Sequence, residues 1–181
     1  MIKRFASLAA VTCLSLAFAA HAQSRRVQPL DHGQDDREDI PPAKAAELGF
    51  HLSIAPGVYL PSDGSPAGFS LSASGRYGLD LGRWVISPGA SLQLDLSDPS
   101  LLAVVPTVRV TFPIGIFGPF VQGGLGFAHV FGDFPASSPM YQAGGGFVFA
   151  LQRWHLGLEV MYATAPDVGY SAWLIAPIIA Y

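Results

Sequence analysis

The sequence is short of charge, of cysteine and of long apolar runs. Of its 181 residues 13% are charged and 50% hydrophobic, about half the charged fraction of an ordinary soluble domain. No apolar run reaches the roughly 20 residues that a membrane-crossing helix needs; the longest, residues 8–20, falls short. Cys13 is the only cysteine, which excludes a disulfide and a cysteine metal site from any chain that loses the amino-terminal segment. His129 and His155 lack partners at metal-ligand spacing, and no metal or cofactor is expected. Basic residues are also too few for a nucleic-acid partner. What is left is membrane-like composition with no helix to carry it across.

The amino terminus explains its own apolar run. Lys3 and Arg4 precede it, and Ala20-His21-Ala22 offers a small-x-small cleavage site before Gln23. Residues 1–22 read as a secretory signal peptide. Without them 8 basic residues face 13 acidic ones, a formal charge of −5. Residues 23–47 then concentrate charge around Pro29, Pro41 and Pro42 with little to bury. Such composition leaves ordering entropy uncompensated, so a flexible charged periplasmic leader is expected, with one helical turn over residues 41–47 as its most order.

From residue 48 the pattern has period two, the mark of strands with two distinct faces. Phe50, Leu52, Ile54, Pro56, Val58 and Leu60 alternate with His51, Ser53, Ala55, Gly57 and Tyr59. At the carboxyl terminus Trp173, Ile175, Pro177, Ile179 and Tyr181 alternate with Ala172, Leu174, Ala176, Ile178 and Ala180. Six similar runs lie between, each about ten to thirteen residues, matching the roughly 9–11 of a tilted membrane strand. An all-β fold follows: an antiparallel up-and-down transmembrane β-barrel of about eight strands over residues 48–181.

Volume decides which face points in. An eight-stranded barrel has room inside for side chains only, so the small and polar face must fill the lumen and the bulky face must meet lipid. Tyr77, Trp84, Phe112, Trp154 and Tyr181 fall near strand ends as an aromatic girdle. Short turns at residues 81–83, 113–118 and 152–153 share one side with both termini, and longer proline-, serine- and glycine-rich loops face the other.

Arg76, Asp80, Asp95, Arg109 and Glu159 all fall on inward positions. Ionised groups at membrane depth must be paired or hydrated, so these five are expected to form a lumen network, with Glu159 bridging to Arg109 or Arg76. No catalytic set stands out. Glycine clusters at residues 123–126 and 144–146 lack the lysine and the following helix of a phosphate loop, and fit strand bends or close neighbours instead. Pro56, Pro88, Pro106 and Pro177 interrupt strands on the lipid face, each removing a ladder donor.

The signal peptide, the alternating runs and the terminal aromatic together resemble the OmpA/OmpX-type small outer-membrane β-barrels of Gram-negative bacteria, over residues 48–181. That resemblance implies an assembly signal at Trp173, Ile175, Ile179 and Tyr181, from which Pro177 departs, and a barrel-assembly machinery that reads it. It implies the outer membrane as location, lipid and lipopolysaccharide as surroundings, and a monomer. His51-Leu52-Ser53 resembles the His-x-Ser of the outer-membrane lipid A deacylase. The four prolines resemble those that give an acyl chain lateral access in the lipid A palmitoyltransferase barrel. The leading expectation is a plugged barrel with a structural, envelope-integrity or surface-interaction role. A lipid-handling barrel or lipid A-modifying enzyme with a lateral gate comes second, and a narrow pore third.

Overall fold

The computed structural model describes residues 40–96, 100–132, 135–151 and 154–181. The expected signal peptide and residues 23–39 of the expected leader lie outside this set. Eight strands run β1 (Gly49–Pro61), β2 (Gly68–Leu81), β3 (Trp84–Leu96), β4 (Ser100–Thr111), β5 (Phe117–Phe131), β6 (Ala136–Leu151), β7 (Trp154–Ala165) and β8 (Tyr170–Ala180). Each pairs antiparallel with the next and β8 closes on β1, giving an up-and-down barrel.

Alternation sets the two faces as the sequence predicts. Phe50, Leu52 and Ile54 are more than half exposed, whereas His51, Ser53 and Ala55 are each under a tenth exposed. The apolar residues outside have no protein to cover them, which is the arrangement of a barrel solvated by lipid. Two aromatic belts bound that band. Near the termini Trp84 packs edge-on to Phe112, and Trp154 to Tyr181, while Phe117, Phe147 and Phe149 form a triad. At the opposite end Tyr162 stacks against Trp173. Trp154 and Tyr162 sit eight residues apart on one strand, about 20 Å along the barrel axis after tilt, close to the height of an outer-membrane apolar band.

The connections follow the same division. Leu81 pairs with Trp84 across a two-residue turn in which Gly82 takes a φ of 73°, a conformation that glycine adopts without a Cβ penalty. At the far end Asp63 accepts a bond from the Ser65 backbone N–H at 2.9 Å, which holds its carboxyl below the usual carboxylate range. β5 and β6 extend into one of the longer loops expected on this side, β6 starting at Ala136. Their register stays unbroken from Phe117 paired with Phe149 to Val130 paired with Ala136, with Pro139 opposite Phe127.

The end of the expected leader is ordered. Residues 42–47 form helix α1 (Pro42–Glu47), started by Pro42 at its first position, where a missing N–H costs nothing. Its Ala43 and Glu47 are each 1% exposed, and the Ala43 N–H donates to the Gly115 carbonyl at 2.9 Å. Burial of these residues offsets the ordering entropy that composition alone left uncompensated. Lys44 reaches back to Asp80 at 3.0 Å.

Candidate functional site: the lumen and its closing seam

The lumen is layered by depth. At the end that carries α1 and Tyr181, Glu47 of α1 accepts from Thr111 Oγ1 at 3.5 Å, and the rings of His51 and His155 lie 5.8 Å apart beside it. The Ser53 hydroxyl bonds to Ser74 at 2.7 Å and His51 Nε2 contacts the Leu48 carbonyl. The His-x-Ser pattern therefore brings no nucleophile to a base.

The middle layer carries the charge. Arg109, 2% exposed, donates from Nε to Gln122 Oε1 at 2.8 Å and from NH2 to Glu159 Oε2 at 3.4 Å. Its guanidinium lies over the Phe120 ring, 3.7 Å from the centroid, a cation–π contact that strengthens away from water. Of the two arginines that could serve Glu159, Arg109 alone makes the ion pair. Arg76, 5% exposed, donates from NH1 to Ser53 and Ser74 at 3.4 Å each. Among the described residues, Arg76 Nε and NH2, Arg109 NH1 and Ser87 Oγ have no protein partner. Next to this layer is a cavity of about 30 Å³, lined by Arg109, Glu159, Gln142 and several serines. Such a volume accommodates about two water molecules.

The far half of the lumen departs from expectation. The inward face was expected to be small and polar throughout, but here Tyr59, Leu101, Val105, Met140, Met161 and Leu174 form an apolar core. The strands keep their alternation; only the chemistry of the inward positions changes with depth. Asp95 closes this core from above, fully buried. It accepts from Ser70 Oγ at 2.6 Å, from Gln93 Nε2 at 2.9 Å and from Tyr170 Oη at 2.5 Å. Neutral donors thus hold this carboxylate, and no cation approaches it within ion-pair distance among the described residues.

Of the five residues expected to form one network, only Arg109 and Glu159 touch. Asp95 stands in the far layer, and Arg76 is held by serines. Asp80 is a correction: its inward parity is right, but it sits at the rim beside α1, paired with Lys44, its side chain 45% exposed. Parity fixes a face and not a depth. Gln93, Gln122 and Tyr170 are the partners that the sequence reading missed. Each shares inward parity with an identified charge, the one signal that could have found them.

The four prolines do not act alike. Pro88 lies at a break in the β2–β3 ladder, and Pro106 at one in the β4–β5 ladder, each from one side. Pro56 and Pro177 meet at the same break. The β1–β8 register pairs Ser53 with Ala180 and Ile54 with Ile179, then resumes at Val58 with Ile175. Leu52 and Tyr181 exchange both backbone bonds, at 3.1 and 3.3 Å. Bonded pairs recur every second position in an antiparallel ladder, so the next are Ile54 with Ile179 and then Pro56 with Pro177. At that pair neither strand has an N–H to give. Trp173, Ile175, Ile179 and Tyr181, implied as an assembly signal, all point outward along this seam, 40–63% exposed.

No family model matches the chain, and no curated protein matches it by sequence. Solved structures do. The N-terminal β-barrel domain of Pseudomonas aeruginosa OprF aligns over 72% of this chain and 95% of its own, with a TM-score of 0.54 at 11% identity. Neisserial surface protein A aligns over 72% and 94%, with a TM-score of 0.53 at 15% identity. The outer membrane enzyme PagL aligns over 72% and 97%, with a TM-score of 0.51 at 16% identity. At such identities the likeness is one of fold, and the fold is that of the small eight-stranded outer-membrane barrels.

Proposed function

We propose that this protein is a non-conducting outer-membrane barrel with a structural or surface-interaction role in a Gram-negative envelope. The observation that carries this reading is the sequence of seals along the lumen. The Arg109–Glu159 pair blocks the middle, α1 and Glu47 the end with the termini, and the apolar core under Asp95 and Tyr170 the other end. A hydrated ion would have to displace all three.

In this reading residues 1–22 direct export, the termini face the periplasm and the loops face outward. Lipid and lipopolysaccharide surround a monomer that the barrel-assembly machinery inserts through β8. Similar barrels serve varied roles, PagL being an enzyme, so the fold by itself does not choose among them. Planar-bilayer recordings of the purified protein test the reading: no discrete steps are expected, and regular unitary conductance would overturn it. The lipid-handling alternative is favoured by one observation, the paired prolines at the closing seam.

A further inference from the structure

The first strand is entered through a reversal. Leu48 is extended and Gly49 takes a φ of 89°, left-handed backbone that glycine adopts without a Cβ penalty. Across the β1–β2 ladder Gly49 pairs with Gly78, and a Cβ at Gly78 would overlap the Glu47 carbonyl. One glycine supplies the turn and the other the room. Together they let α1 fold back over the rim instead of leading away from it.

The reversal lays α1 across the barrel end. Lys44 holds it to Asp80 at the end of β2, the Ala43 N–H to Gly115 in the β4–β5 turn, and Glu47 to Thr111 at the end of β4. These anchors are slight. Helix α1 has six residues, far below the roughly 12–15 at which an isolated helix is even marginal. The Lys44–Asp80 pair is exposed on the aspartate side and adds little, and the Glu47–Thr111 contact is long at 3.5 Å.

Glu47 is nevertheless almost fully buried, a costly place for a carboxylate unless a cation answers it. The cations are close by. Arg76 stands opposite His51 in the β1–β2 register, and Arg109 lies two positions from Thr111 on the inward face of β4. The Glu47 charge acts on both guanidiniums, and on Arg76 more strongly than Glu159 does. With α1 seated, two carboxylates, Glu47 and Glu159, face two guanidiniums. With α1 withdrawn, Glu159 faces both and Arg76 keeps hydroxyl partners alone.

We propose that α1 is a hinged stopper on the barrel end, turning about Gly49 and latched by the attraction between Glu47 and the Arg76 guanidinium. A segment outside the strands thus completes the charge balance inside them. When the stopper swings out, the Arg109–Glu159 pair and the apolar core still close the lumen beyond it.

The test is amide hydrogen exchange by nuclear magnetic resonance on the full chain folded in detergent micelles. The Ala43 N–H, bonded to the Gly115 carbonyl, reports opening of the stopper, and the β4 amides report the barrel. In the wild type Ala43 should exchange at least a hundredfold faster than the β4 amides, through a local opening. Equal rates would make α1 a fixed part of the barrel and overturn the proposal. Glu47→Gln keeps the size and the hydrogen bonding of the side chain but removes its charge. It should speed exchange at Ala43 about tenfold and leave β4 unchanged; no change at Ala43, or an equal change in β4, sinks the latch. Arg76→Gln should act similarly, and combining the two should add little, whereas multiplied effects would deny that the two residues are partners. If Arg76→Gln does not fold, Glu47→Gln decides. The stopper is one of the three seals of the proposed function, and because exchange reads its motion and not current, the two proposals fail separately.

Discussion

The two halves of the lumen are built from the same strands on the same alternating face, yet they are filled differently. Toward α1 charge and hydroxyls, Arg76, Arg109 and Glu159 among serines and glutamines, share the interior with a smaller apolar cluster of Phe120, Val148 and Ile178. Toward the loops it is an apolar core of Leu101, Val105, Met140, Met161 and Leu174, capped by one carboxylate. The apolar half resembles an ordinary protein interior and draws on dispersion and shape. The polar half depends on pairing, because each buried charge is tolerable only with its partner. The halves should therefore respond differently to injury.

The largest effect is expected from breaking the pair. Glu159→Leu leaves Arg109 buried without its counter-charge, and chemical denaturation of the protein in vesicles should show a loss of about 3–5 kcal/mol. Adding Arg109→Met should recover most of that loss; strict additivity of the two single changes would deny the pairing. In the apolar half Leu101→Ala should cost about 2–5 kcal/mol as a cavity, and no polar second change should rescue it. A rescue there, or its failure at Glu159, would erase the contrast. At the end beside α1 Asp80→Asn removes a solvent-exposed partner of Lys44, and the unfolding midpoint should not move measurably, as for most surface pairs.

Much of this was legible in the chain. Alternation over residues 50–60 and 172–181 gave the strands, their faces and their number, because lipid outside and a narrow lumen inside leave each position only one direction. Depth was not legible, since period two carries no information along the strand axis; Asp80 and Asp95 were grouped with Arg109 for that reason. The helical turn at Pro42–Glu47 was legible, but its place inside the barrel end was not, because tertiary burial of Ala43 and Glu47 is something local composition does not record. The prolines were visible as lost donors, but their coincidence needed the register. Only the pairing of β1 with β8 shows that Pro56 and Pro177 face each other while Pro88 and Pro106 do not.

The bond from Tyr170 to Asp95 spans 75 positions and joins the third strand to the eighth across the mouth. A contact of that sequence separation carries a large loop-closure cost, which the strands between reduce once they are in place. Tyr170 and Asp95 thus make a timer for closure. In a refolding experiment, a probe at Tyr170 should change last, after the hairpins have formed and at the moment that β8 meets β1.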